Sequence, residues 1–131
     1  SSYWQAGRTS EAIVIEERVL ADRARLLGDD HPHTQTARAN LATSYWQAGR
    51  TNEAISLLER TVADSERLLG DDHPHTRTAR ANLAASYYQA GRTNEAISLL
   101  ERTVADSERL LGDDHPHTRA AADVLRRWHL L

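Results

Sequence analysis

Apolar and small residues return along the chain at spacings of three and four. Ala96, Leu100, Thr103, Ser107 and Leu111 share one helical face, with Ile97, Val104 and Leu110 beside them. Ser98, Glu101, Arg102, Ala105, Glu108 and Arg109 fall opposite, which predicts a helix with one buried side and a charged, solvated back. Helix-spaced pairs such as Arg102 with Asp106 are expected on that back. A second pattern runs from Pro74 to Ala90, with Thr76, Ala79, Leu83, Tyr87 and Ala90 as its inward stripe. Both patterns recur every 42 residues, marked by the phrase Gly-Asp-Asp-His-Pro-His-Thr at Gly28, Gly70 and Gly112. Ser44 to Arg77 and Ser86 to Arg119 differ only at Trp46 against Tyr88, and Ser2 to Gln35 is a looser copy. A fixed period of this length predicts stacked helical units that bury their faces on one another instead of around one central core.

The punctuation between stripes predicts where helices start and stop. Gly7, Gly49 and Gly91 suit the left-handed residue that ends a helix. Thr9, Thr51 and Thr93 then stand as N-caps, with Glu11, Glu53 and Glu95 in the first turn. At the other joint, proline opens the helix and the preceding Asp or His caps it. The expected organisation is one array over 1–131: a partial helix at 1–6, then units 7–48, 49–90 and 91–131. The last helix, 115–131, departs from the pattern at Ala122, Val124 and His129 and reads as a cap.

Composition narrows the function. Cysteine is absent, so neither a disulfide framework nor a thiolate site is available. A net charge of -3 favours neither nucleic acid nor a membrane surface as partner. No apolar run approaches the roughly 20 residues of a membrane span, no leader marks secretion, and a cytoplasmic location is expected. All 16 basic residues are arginine, a bias that suggests GC-rich, bacterial coding. The opening in mid-phrase at Ser1 suggests a piece of a longer array.

Asn82-Leu83-Ala84, Tyr87, Gly91, Glu95-Ala96 and Leu100 resemble the signature spacing of tetratricopeptide repeats. Asn40-Leu41-Ala42, Tyr45, Gly49, Glu53-Ala54 and Leu58 do so again one unit earlier. The Leu-Gly-x-Asp-His-Pro joint and the 42-residue period resemble the long-helix subclass of kinesin light chains and many bacterial repeat proteins. Arg38 and Arg80 depart from the family by standing where many members have Trp, and Glu16 stands where the later copies have Leu58 and Leu100. The resemblance implies an all-α, right-handed superhelix of antiparallel helix pairs. Its first-type helices would line a concave groove for a peptide or partner segment, without catalysis or cofactor.

The groove face is also readable from helical geometry. Thr78, Ala81, Asn82, Ala85, Tyr88 and Gln89 lie opposite the stripe of their helix, as do Thr36, Ala39, Asn40, Thr43, Trp46 and Gln47 one unit earlier. Neither set carries a charge, although 27% of the chain is charged. Amides suit a peptide backbone because they both donate and accept, and Trp46 and Tyr88 are candidate aromatic anchors. The resemblance assigns Asn40 and Asn82 to clamping a ligand main chain. Arg38 and Arg80 border the face, either to read an acidic partner or to pair internally with a neighbouring Asp or Glu. The paired histidines of the joints are metal-ligand types, yet helix-start chemistry accounts for them more simply, and no metal site is assigned. No glycine-rich phosphate loop, cysteine nucleophile or Ser-His-Asp arrangement beyond chance is present, so a non-catalytic scaffold is expected. The alternative is end-to-end self-assembly of near-identical units.

Overall fold

The computed structural model describes residues 2–130, with side chains from 7 to 129. The described residues form helices joined by short turns: α1 (Ser2–Leu27), α2 (Pro32–Gln47), α3 (Thr51–Leu69), α4 (Pro74–Gln89), α5 (Thr93–Leu111) and α6 (Pro116–Leu130). They gather into two compact units, one ending at Asp64 and one beginning at Ser65, so the division falls within α3.

In the first unit α1 packs on α2. Ile13, Leu41, Tyr45 and Ala54 form its core, with Leu20, Trp46 and Leu57 half-buried against them. In the second unit α5 packs on both α4 and α6. Ala84, Leu100 and Val104 form a cluster there that receives Val124, Leu125 and Trp128 of α6. The inward stripe of α5 is as expected: Ala96, Leu100, Thr103 and Ser107 are buried and its charged back is exposed. Glu16 is accommodated by accepting a hydrogen bond from the Ser44 hydroxyl at 2.8 Å, which leaves its other carboxylate oxygen buried without a partner.

The turn after α4 shows why glycine is needed. Gly91 sits at φ 81°, the Gly91 N–H reaches the Tyr88 carbonyl and the Arg92 N–H reaches the Tyr87 carbonyl. These are the two crossed bonds that close a helix through a left-handed residue. The next helix then starts differently from expectation. Arg92 occupies the cap position without a side-chain bond and Thr93 is already helical. Glu95 grips Arg92 instead, at 2.8 and 2.7 Å, while the same guanidinium lies 4.6 Å above the Tyr87 ring. The bidentate pair pins the turn, so a threonine cap is not required.

Gly7 gives a second correction. The expected partial helix at 1–6 is not separate, because α1 runs unbroken through Gly7. The phrase Gln-Ala-Gly-Arg-Thr is the same at Gly7, Gly49 and Gly91. Glycine permits a turn but does not compel one, and inside a helix it costs only about 1 kcal/mol relative to alanine. The turns at Gly49 and Gly91 follow α2 and α4, which have already buried Leu41 and Tyr45, and Leu83 and Tyr87, on their inward faces.

At the other joint histidine, not aspartate, supplies the cap. His31 and His73 are the cap residues of α2 and α4, and Nδ1 of each accepts the N–H of the histidine two residues on, at 3.0 and 3.1 Å. His115 and His117 repeat the bond at 3.1 Å ahead of α6.

Candidate functional site

The faces singled out by periodicity are open. On α4, Thr78, Ala81, Asn82, Ala85 and Gln89 are exposed, and on α2 so are Thr36, Ala39, Asn40, Thr43 and Gln47. Each face follows from its helix's inward stripe: Thr76, Leu83 and Tyr87 turn α4, and Thr34, Leu41 and Tyr45 turn α2, leaving the asparagines outward. No side-chain hydrogen bond holds either Asn40 or Asn82 among the described residues. The Thr43 hydroxyl, in contrast, bonds back to the Ala39 carbonyl at 3.1 Å and is less available.

The aromatic anchors are less free than periodicity suggests. Tyr88 stacks on Trp128 of α6, with ring centroids 4.5 Å apart and planes within 4°. Trp46 packs half-buried against the core of its own unit. Each presents only the part of its ring that this packing leaves.

Arg38 and Arg80 do not belong to the open face. Their relative exposures are 1% and 0%. Arg80 meets three carboxylates, Glu66 at 2.7 Å, Asp71 at 2.9 Å and Asp106 at 3.1 Å, and reaches the Asp71 carbonyl at 3.4 Å. Burial opposes its charge, but the bonds from Glu66 and Asp71 outweigh that, and the guanidinium is held more tightly protonated than usual. Arg38 has one carboxylate, Asp64 at 2.7 Å, and the Asp29 carbonyl at 3.4 Å. The position of Glu66 is Ala24 one unit earlier, which explains the poorer set. The expected pair of Arg102 with Asp106 is also rearranged, since Asp106 serves Arg80 and Arg102 lies 3.4 Å from Glu66. The internal ion pair is therefore the reading that stands for both arginines, and the acidic-partner reading is withdrawn.

Two residues that the periodicity did not single out shape the surface. Trp128 covers Tyr88, and Arg77 lines a pocket beside Thr78 and Ala81. The sequence signal for Trp128 was a tryptophan where the preceding units have Ser44 and Ser86. Among the described residues no group of three or more His, Asp or Glu is placed to hold a metal ion. None of the described helices is long and apolar enough to cross a membrane.

Among curated protein sequences none matches this chain. Among solved structures, a kinesin-light-chain candidate from Podosopora anserina with nearly identical TPR-like repeats is similar over 98% of the chain, at 34% identity and a TM-score of 0.76. A point variant of that protein gives 33% identity over 98% of the chain and a TM-score of 0.77. BtubC (BKLC) from P. vanneervenii shares the fold over 95% of the chain, with a TM-score of 0.70 at 20% identity. The chain spans 61% of each of the first two structures and 57% of the third. The family model described as tetratricopeptide repeat matches residues 1–66 and again 35–108. Proteins of this kind generally mediate protein–protein interaction or assembly, on a scaffold that is generally non-catalytic. With its all-α helix pairs, its 42-residue period and these matches, the chain belongs to the tetratricopeptide repeat family.

Proposed function

We propose that the chain is a non-catalytic interaction module that binds a peptide or partner segment along the open faces of its first-type helices. The observation that carries this reading is an exposed, charge-free surface repeated on α2 and α4, with an unengaged asparagine at the same place on each. A helix side left permanently in water would normally carry Glu or Arg, as the back of α5 does. Amides there offer paired donor and acceptor to any backbone, with affinity that depends little on sequence. Thr36, Asn40, Thr43 and Gln47, with the free part of Trp46, form one recognition strip. Thr78, Asn82 and Gln89, with the free part of Tyr88, form the other.

The test is a displayed library of nonapeptides panned on the intact chain, with selected binders measured by fluorescence polarisation. Asn82→Ala should weaken a selected peptide about tenfold, the worth of one to two lost hydrogen bonds, while leaving the melting curve in place. An unchanged affinity removes Asn82 from the site.

A second reading, self-assembly, is favoured by one observation. Ile15 is 63% exposed on α1, whereas its counterparts Leu57 and Leu99 pack against cores. Val14, Leu26 and Leu27 are exposed on the same helix. Light scattering over a hundredfold concentration range separates the readings: mass that stays near 14.7 kDa speaks for the module, and rising mass for assembly.

A further inference from the structure

Helices α1, α3 and α5 are copies of one sequence, so the places where α1 departs from the other two are informative. Thr51 to Leu69 and Thr93 to Leu111 are identical, but α1 differs from both on its outer side. Val14 stands where the later copies have Ser56 and Ser98. Both serines are exposed, and so is Val14, at 59%. Exposure is thus a property of that position in every copy, and only α1 fills it with an apolar side chain. Ile15 follows at 63%, and Leu26 lies towards the other end of the helix at 69%. Glu11, Arg18, Asp22 and Arg25 are exposed around them. At about 100° per residue, these side chains form one ridge along α1, turned away from the buried Ile13.

The charges of α1 are sorted by sign. Residues 8–17 carry Glu11, Glu16 and Glu17 against Arg8, and residues 18–27 carry Arg18, Arg23 and Arg25 against Asp22. The first half is therefore net acidic and the second net basic. The matching end of α5 sets Arg102 and Arg109 against Asp106 and Glu108 and has no net charge. Departures of α1 from the repeat create the difference: Arg23 replaces a serine, Ala24 replaces a glutamate, and Glu16 replaces a leucine. The same copy that gains an apolar ridge thus gains a charge gradient along it.

We propose that this ridge is an interface for a second copy of the chain, in which two α1 helices lie antiparallel about a two-fold axis. A two-fold contact must carry both signs on one patch, because each copy supplies both sides. The antiparallel setting lays the acidic half of each helix against the basic half of the other, with Glu11 facing the second copy's Arg25, and opposes the helix dipoles. A parallel setting would put like charge against like. Arg25 lies 3.5 Å from Asp22 in a pair exposed on both sides, a contact weak enough in water to be exchanged. One helix against one helix falls at the small end of specific interfaces, below about 1,200 Å² in total, so the pair is reversible. The inference rests on the self-assembly reading and gives it a closed form: this contact stops at two copies, whereas stacking through unlike ends continues. No ridge residue belongs to the strips on α2 and α4, so a pair is compatible with peptide binding there.

Sedimentation equilibrium on the intact chain over a hundredfold concentration range decides it. The expected mass rises from 14.7 kDa and levels at twice that value. Ile15→Ser and Glu11→Arg should each weaken the pair by about tenfold without moving the melting curve, since both residues are exposed. Val14→Ser, which restores the residue of the later copies, should act in the same direction. Glu11→Arg mixed with Arg25→Glu should pair again, because each offers the charge that the other lacks. Leu68→Ser, at the counterpart of Leu26 on α3, should change nothing. A constant mass of 14.7 kDa overturns the inference and the self-assembly reading together. Mass climbing past two copies keeps self-assembly and overturns the closed pair. A dimer indifferent to the three α1 variants, a mixture that fails to pair, or a dimer lost in Leu68→Ser overturns the assignment to α1.

Discussion

Arg80→Ala should cost about 3–5 kcal/mol of folding stability, the range for removing one partner of a buried ion pair. Arg80 is fully buried and is the meeting point of Glu66, Asp71 and Asp106, contributed by α3, the following joint and α5. Deleting it leaves a cavity and takes the shared cation from the part-buried Glu66 and Asp106 and from the more exposed Asp71. Arg38→Ala should cost less, because Arg38 meets a single carboxylate. A discriminating feature is the response to mild acid. Protonating carboxylates should recover part of the Arg80→Ala loss and none of a loss that came from the cavity alone. Urea denaturation of the parent and both variants at neutral and mildly acidic pH checks this. Equal losses for Arg80→Ala and Arg38→Ala, with no recovery in acid, would refute the charge-cluster account.

The second large effect is alkaline. Tyr45 donates a 2.6 Å hydrogen bond to Glu17 from a buried position. Burial first, then that bond and the Glu17 charge, push its phenol up to about 12, with the Arg50 guanidinium over its ring pulling the other way. An unfolded tyrosine ionises near 10. The folded protein therefore holds this proton more tightly, and the resulting stability is whole below about pH 10. It is lost as pH rises through about 12. The loss is on the order of 2 kcal/mol. Denaturation at pH 9 and pH 11.5 should show a steeper decline in the parent than in Tyr45→Phe. Parallel declines would mean that Tyr45 ionises as it would in the unfolded chain.

The helices and their inward faces were readable because one stripe of apolar and small residues at three-and-four spacing leaves a helix few ways to turn. Leu83, Leu100, Thr76 and Ser107 are buried on that account alone. The outward asparagines follow by subtraction. What sequence alone left open depends on residues far apart in the chain. An arginine at the edge of a stripe is equally compatible with solvent and with a buried cluster. The choice at Arg80 was made by Asp106, 26 positions away, and Glu66, 14 positions away. Tyr88 looked like a free anchor because Trp128, which covers it, lies in the one helix that breaks the repeat. Gly7 is a related case: the phrase Gln-Ala-Gly-Arg-Thr permits the turns at Gly49 and Gly91 without compelling one inside α1.

The histidine caps carry a consequence for coordination chemistry. Nδ1 of His31, His73 and His115 is occupied in accepting a backbone N–H. The neutral ring must then keep its proton on Nε2, the one nitrogen left to face a metal ion. Coordination at Nε2 would drive the proton to Nδ1 and turn the cap's acceptor into a second donor pointing at the amide. Any ion chelated by one of these histidine pairs would therefore unfasten the start of a helix, at about 1 kcal/mol for each cap. At these joints metal uptake and helix initiation are competing uses of the same imidazole.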